Sequence, residues 1–174
     1  MAAQRYDPET LAIDRVLRLD QLIREALGQQ RCEAFARRAK EAPQLVLQAG
    51  IVHTLLFYLS KSDERLLGDL ISALRGGNPA LRGLKDECRG EGKGYTIAAA
   101  LLADALRTLA EHGLLGGAND ACRQAADARS IARCLRSLRE SNAELRAEAL
   151  LEPYLVAVKR LAEALHEEKD KERR

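Results

Sequence analysis

The stretch AKEAPQLVLQAGIVHTLLFYLSKSD, from Ala39 to Asp63, decides the fold class. A basic, charge-rich run stops at Pro43, and an almost unbroken apolar block follows, interrupted by Gln48, Gly50, His53 and Thr54. Proline pushes the residue before it out of the α region and suits the first turn of a helix. The expectation is a basic helix over about 29–42 and a second helix, about 43–60, that begins at Pro43. The second is apolar nearly all the way round, which places it at the buried centre of a bundle. Gly50 inside it costs helix propensity, so a neighbouring segment is expected to pack closely there. The block falls short of the ~20 apolar residues a membrane span needs, so a soluble chain with no membrane partner is expected.

The rest of the composition agrees with helices. The chain has 174 residues, enough for one domain with a real core, and 47% of them are apolar, mostly Leu and Ala. Aromatics are 3%, with no tryptophan, and β-branched residues are scarce. The reading is an all-α, single-domain helical bundle of about six or seven helices over 1–174, with 1–7 and 167–174 as loose tails.

Helices are expected from Pro8 to about Leu27, over about 63–75 with a Ser62-Asp63 cap, over 79–88, and from Tyr95 to Glu111. Another runs from Asn119 or Asp120 to about Glu140, and a last one to about Glu168 with a possible kink at Pro153. Ser141-Asn142-Ala143-Glu144 reads as a capping box for the last helix. Gly90 to Gly94 reads as a mobile loop.

Catalytic chemistry is hard to find. Gly90-Glu91-Gly92-Lys93-Gly94 lacks the Ser or Thr and the preceding strand that a phosphate-binding loop requires. His53, His112 and His166 lie on separate helices with no metal-ligand spacing, and His53 reads as a buried, hydrogen-bonded side chain. Cys32, Cys88, Cys122 and Cys134 form no CxxC pair and read as reduced thiols of a cytoplasmic protein. Cys122 and Cys134, twelve residues apart on one continuous helix, would point in different directions. No paired carboxylates stand out, so no catalytic residue, metal or cofactor is expected.

Basic residues carry the functional signal, although the net charge is only +2. Arg129, Arg133 and Arg136 share one helix face, flanked by Arg123 and Arg139. Arg37 and Lys40 share another, Arg31 pairs with Arg38, and Lys159 and Arg160 are adjacent in the last helix. Such stripes can follow a phosphate backbone, and each also reads as an ordinary solvated face. With so few aromatics, any nucleic-acid grip would hold backbone rather than bases.

Two segments resemble a known family. Arg38-Ala39-Lys40-Glu41-Ala42-Pro43, Gln48-Ala49-Gly50-Ile51, His53-Thr54-Leu55 and Phe57, ending at Lys61, form the first. Glu148-Ala149-Leu150, Tyr154-Leu155 and Lys159 to Ala164 form the second. Together they resemble the small all-helical subunit of the type III-B CRISPR effector, the Cmr complex. Ala157, Leu161 and Ala49 stand where that family has Trp, Phe and Asn. The resemblance implies a non-catalytic, cytoplasmic structural subunit of antiviral defence. Its partners would be other Cmr subunits, further copies of itself and target RNA bound to the crRNA. By the resemblance, Lys40, Lys61, Lys159 and Arg160 lie nearest RNA, with Arg37 next; Arg129, Arg133 and Arg136 are added from spacing. The small subunit of the type III-A complex, a helical protein-interaction adaptor and, with least support, an RNA- or nucleotide-acting enzyme are the alternatives.

Overall fold

The computed structural model describes residues 4–167. Eight α-helices are present among them and no strand, so the fold is all-α. They are α1 (Pro8–Leu27), α2 (Glu33–Ser60), α3 (Glu64–Leu74), α4 (Leu84–Glu87), α5 (Tyr95–Glu111), α6 (Asn119–Arg123), α7 (Ala128–Glu140) and α8 (Glu144–His166). α4 and α6 are single turns, which leaves six substantial helices around one contiguous apolar core.

α8 organises one side of the bundle. Cys32 lies beside His166, and Ile51 beside Glu148, so α2 and α8 run antiparallel. Tyr6 reaches the Leu150 carbonyl and Asp20 reaches His166, so α1 runs parallel to α8. Tyr6 and Asp7 are therefore docked rather than loose: Asp7 caps α1 by accepting from the Glu9 and Thr10 amides. The other expected tail, 167–174, lies outside the described residues except for Glu167.

α5 occupies the centre, with the expected bounds and fourteen of its seventeen residues buried. Its first turn needs Gly94, because a Cβ there would lie 2.4 Å from the Ala34 carbonyl oxygen. With no side chain to cap the helix, Glu87 of α4 takes over and accepts the Thr96 amide at 2.8 Å. Burial pushes the Glu87 carboxyl above its ordinary range, and the Thr96 N–H partly offsets this.

Several expectations are overturned. The chain does not break at Pro43 but continues as one helix from Glu33, and the break falls seven residues later at Gly50 (φ 84°, ψ 163°). Proline biases a chain against helix without forbidding it, and here Ala42 and Val46 on either side are packed into the core. Nor is the 43–60 segment the buried centre: Leu47, Leu56 and Phe57 are exposed, and α5 holds that place. By length and composition α2 could cross a bilayer, but in the fold it packs against α8 and α5.

The expected 119–140 helix is two, because residues 124–127 form a link between α6 and α7. The capping box sits there, as Asp127 with Ser130. Ser141, Asn142 and Ala143 make no such box: Ser141 ends α7, and Ala143 starts α8 without a side-chain cap. The turn between α6 and α7 also brings Cys122 and Cys134 together, and they form a disulfide; Cys32 and Cys88 form a second. The expectation of reduced thiols is therefore corrected. Spacing along one continuous helix could not anticipate a pair made by a break in that helix.

Between Pro79 and Cys88 only Leu84–Glu87 is helical. The Gly90–Gly94 loop is pinned rather than loose. Arg37 donates to the Gly90 carbonyl at 2.6 Å, and Arg38 donates to the Lys93 and Glu91 carbonyls. α8 stays helical through Pro153 and ends at His166.

Candidate nucleic-acid interface

The eight basic candidates fall into three regions. The antiparallel register of α2 and α8 brings the segment carrying Lys159 and Arg160 alongside the segment carrying Arg37 and Lys40. Lys61 stands alone at the other end of α2, as its C-cap. Arg129, Arg133 and Arg136 line α7 and are all exposed.

Within the first region, internal structure claims part of the charge. Arg37 is half-buried and committed to Gly90, and Lys40 lies 3.5 Å from a Glu167 carboxylate oxygen. Arg38, paired with Arg31 as a surface stripe by spacing, is instead the structural arginine of this corner. It is buried, stacks 4.2 Å from the Tyr95 ring centroid and pairs with Glu41 at 2.7 Å. Its signal in the sequence was a lone tyrosine straight after a glycine-rich loop, which only the fold connects to α2. Lys159 and Arg160 form no ion pair among the described residues.

The α7 stripe is freer. Arg129 and Arg133 meet no carboxylate within ion-pair range among the described residues, and Arg136 has only a loose 3.7 Å contact with Glu140. The two flanking arginines are occupied instead. Arg123 donates to the Ala110 carbonyl and pairs with Asp120, while Arg139 pairs with Glu144 at 2.9 Å. The Asp127 carboxyl at the head of α7 is held below its ordinary range. The Ser130 N–H does most of this, then the Ser130 hydroxyl, with Arg133 and Arg129 adding less.

The histidines exchange roles. His53 is exposed, with Nε2 3.4 Å from Arg139, and is not the buried histidine expected. That is His166, whose Nδ1 accepts the Cys32 N–H at 3.0 Å, so Nε2 carries the proton and faces Asp20 at 3.1 Å. Burial lowers its pKa, against the pull of Asp20. Among the described residues no group of His, Cys, Asp and Glu is arranged to hold a metal.

Both motif segments of the resemblance meet at the break in α2. Gly50 frees the Ile51 amide from helical bonding, and Glu148 of α8 accepts it at 3.0 Å. A Cβ on Gly50 would stand 3.0 Å from that same carboxylate oxygen, which is the close packing expected of this glycine. Just beyond, Leu47 and Leu145, each 80% exposed, flank a groove of about 300 Å³ floored by Val46 and Leu155.

Fold and surface together define a small helical bundle that displays cationic helix faces beside an open apolar groove. A family model described as CRISPR-associated protein (Cas_Cmr5) matches residues 11–165, and the chain belongs to that family. The match takes in both the apolar stretch of α2 and the closing segment of α8. No curated protein and no solved structure matches the chain.

Proposed function

We propose that this chain is the small, non-catalytic subunit of the type III-B effector complex. In this reading it stacks in several copies along the crRNA-bearing backbone, in the cytoplasm, and its basic helix faces touch target RNA. The observation that carries it is the family match over residues 11–165. Exposed arginines with no carboxylate partner among the described residues support it, since a face built only for solubility would interleave both signs. The cysteines of both disulfides are nearly or fully buried, which slows their reduction by soluble thiols.

Co-expression with type III-B backbone subunits and a crRNA, followed by native mass spectrometry, tests this. Several copies of the chain in an RNA-containing particle are expected. A particle that assembles without it overturns the reading and favours a protein-interaction adaptor. Incorporation only with type III-A subunits would reassign the complex.

A further inference from the structure

The groove between α6 and α7 combines free cationic donors with walls fixed from beneath. It encloses about 300 Å³, with Gln124 at the end of α6 on one side and Arg133, Arg136, Ser137 and Glu140 of α7 on the other. Arg133 and Arg136 are three residues apart, so their side chains project over the same turn of helix. Arg129, one turn earlier, prolongs the face beyond the groove.

The donors here are uncommitted. Arg133 has no carboxylate partner among the described residues. The Arg136–Glu140 contact is long and both side chains are largely exposed, so it exchanges readily for a stronger acceptor. The Ser137 hydroxyl makes only a 3.5 Å contact with the Gly117 carbonyl.

The walls, by contrast, are held. Cys122 and Cys134, both fully buried, join the inner sides of α6 and α7 covalently. The Asp127–Ser130 capping box fixes the start of α7.

The geometry points to this groove as a subsite for a phosphodiester of single-stranded RNA, preorganised by the Cys122–Cys134 disulfide. Two guanidiniums, an amide and a hydroxyl line it, and each can donate to phosphate oxygens. No aromatic side chain lines the groove, so it reads backbone and not base. This rests on the RNA-contact reading above. It moves the principal contact to α7, away from the α2–α8 face that the family resemblance favours.

The test is fluorescence anisotropy of the full chain with a short, labelled, mixed-sequence single-stranded RNA, across a salt series. Arg133→Glu with Arg136→Glu is expected to weaken binding by about tenfold or more. It should also flatten the salt dependence by roughly the two phosphates lost, ~1.4 in the log–log slope. Lys159→Glu with Arg160→Glu is expected to cost much less.

The opposite ranking overturns the groove and leaves the RNA reading standing. A wild-type chain that binds no RNA overturns both. Inorganic phosphate separates the sources: if the arginine variants abolish phosphate binding but leave RNA affinity intact, the site takes a free anion and the inference fails. Replacing Cys122 and Cys134 by Ser should weaken RNA binding several-fold at unchanged helical content. Unchanged affinity would remove the preorganising role of the disulfide.

Discussion

α2 and α5 are the two most apolar long helices of the chain, and the fold treats them differently. α5 is enclosed so completely that it buries a carboxylate: Asp104 is 0% exposed, held by Arg15 of α1 at 2.7 Å and by Arg75 beyond α3 at 2.8 Å. Arg75 also pairs with Glu111, which ties the last turn of α5 to the same network. α2 has enough apolar residues for burial on every side, yet it leaves Leu47, Leu56 and Phe57 in solvent and is broken at Gly50. Hydrophobicity sets how much of a helix can be buried. The number of neighbours sets how much is. The surplus on α2 is apolar surface beyond what the isolated chain uses, as expected of a subunit that meets other proteins.

The largest effect should come from the enclosed helix. Asp104→Ala removes the buried acceptor that Arg15 and Arg75 share, leaving Arg75 with Glu111 alone, and is expected to cost about 3 kcal/mol. Thermal denaturation should then show a midpoint roughly 10 °C lower. A loss no greater than that of a surface change would mean α5 is less enclosed than described.

Breaking the break in α2 comes next. Gly50→Val forces a β-branched residue to a positive φ and crowds the Glu148 carboxylate that receives the Ile51 amide. A cost of about 2 kcal/mol is expected, read in the same melting experiment. Unchanged stability would show that the two halves of α2 can straighten without penalty.

The start of α2 provides a pH test. His166 receives the Cys32 amide only when neutral, and burial lowers its pKa despite Asp20, with Arg24 and Arg31 adding to the lowering. The unfolded chain therefore takes up this proton before the folded one does. Stability is complete above the ordinary histidine value, near 6.5, and is lost as pH falls from there through the lower folded value. His166→Asn, whose amide oxygen can still accept the Cys32 N–H, should flatten the melting-temperature profile between about pH 7 and 5. An unaltered slope would place the acid sensitivity elsewhere.

The smallest effect belongs to the exposed face. Leu47→Gln and Leu145→Gln should change stability by no more than about 0.5 kcal/mol, because neither side chain contributes to the core. If they lower recovery of the chain in a co-expressed particle while its melting temperature holds, the apolar groove is an interface. A marked drop in melting temperature would instead return α2 to the core role its composition suggested.

The helical class, the single apolar core, the bounds of α5 and the Asp63 cap of α3 were all legible in the sequence, because they depend on propensity and periodicity within a few residues. So was the basic character of the candidate interface, and the two motif segments were enough to point to the family. Other features depend on residues far apart in the chain. Glu148 receives an amide ninety-seven residues away, and His166 one that is 134 residues away. Arg38 is taken up by a loop that the sequence presents as free. The cysteine pairs follow the same rule, since Cys122 meets Cys134 only because the chain turns between α6 and α7. Local preference wrote the helices into the sequence. Which cations stay free for a ligand, and which apolar side chains stay exposed, was settled only when the helices packed and internal acceptors and core positions were filled.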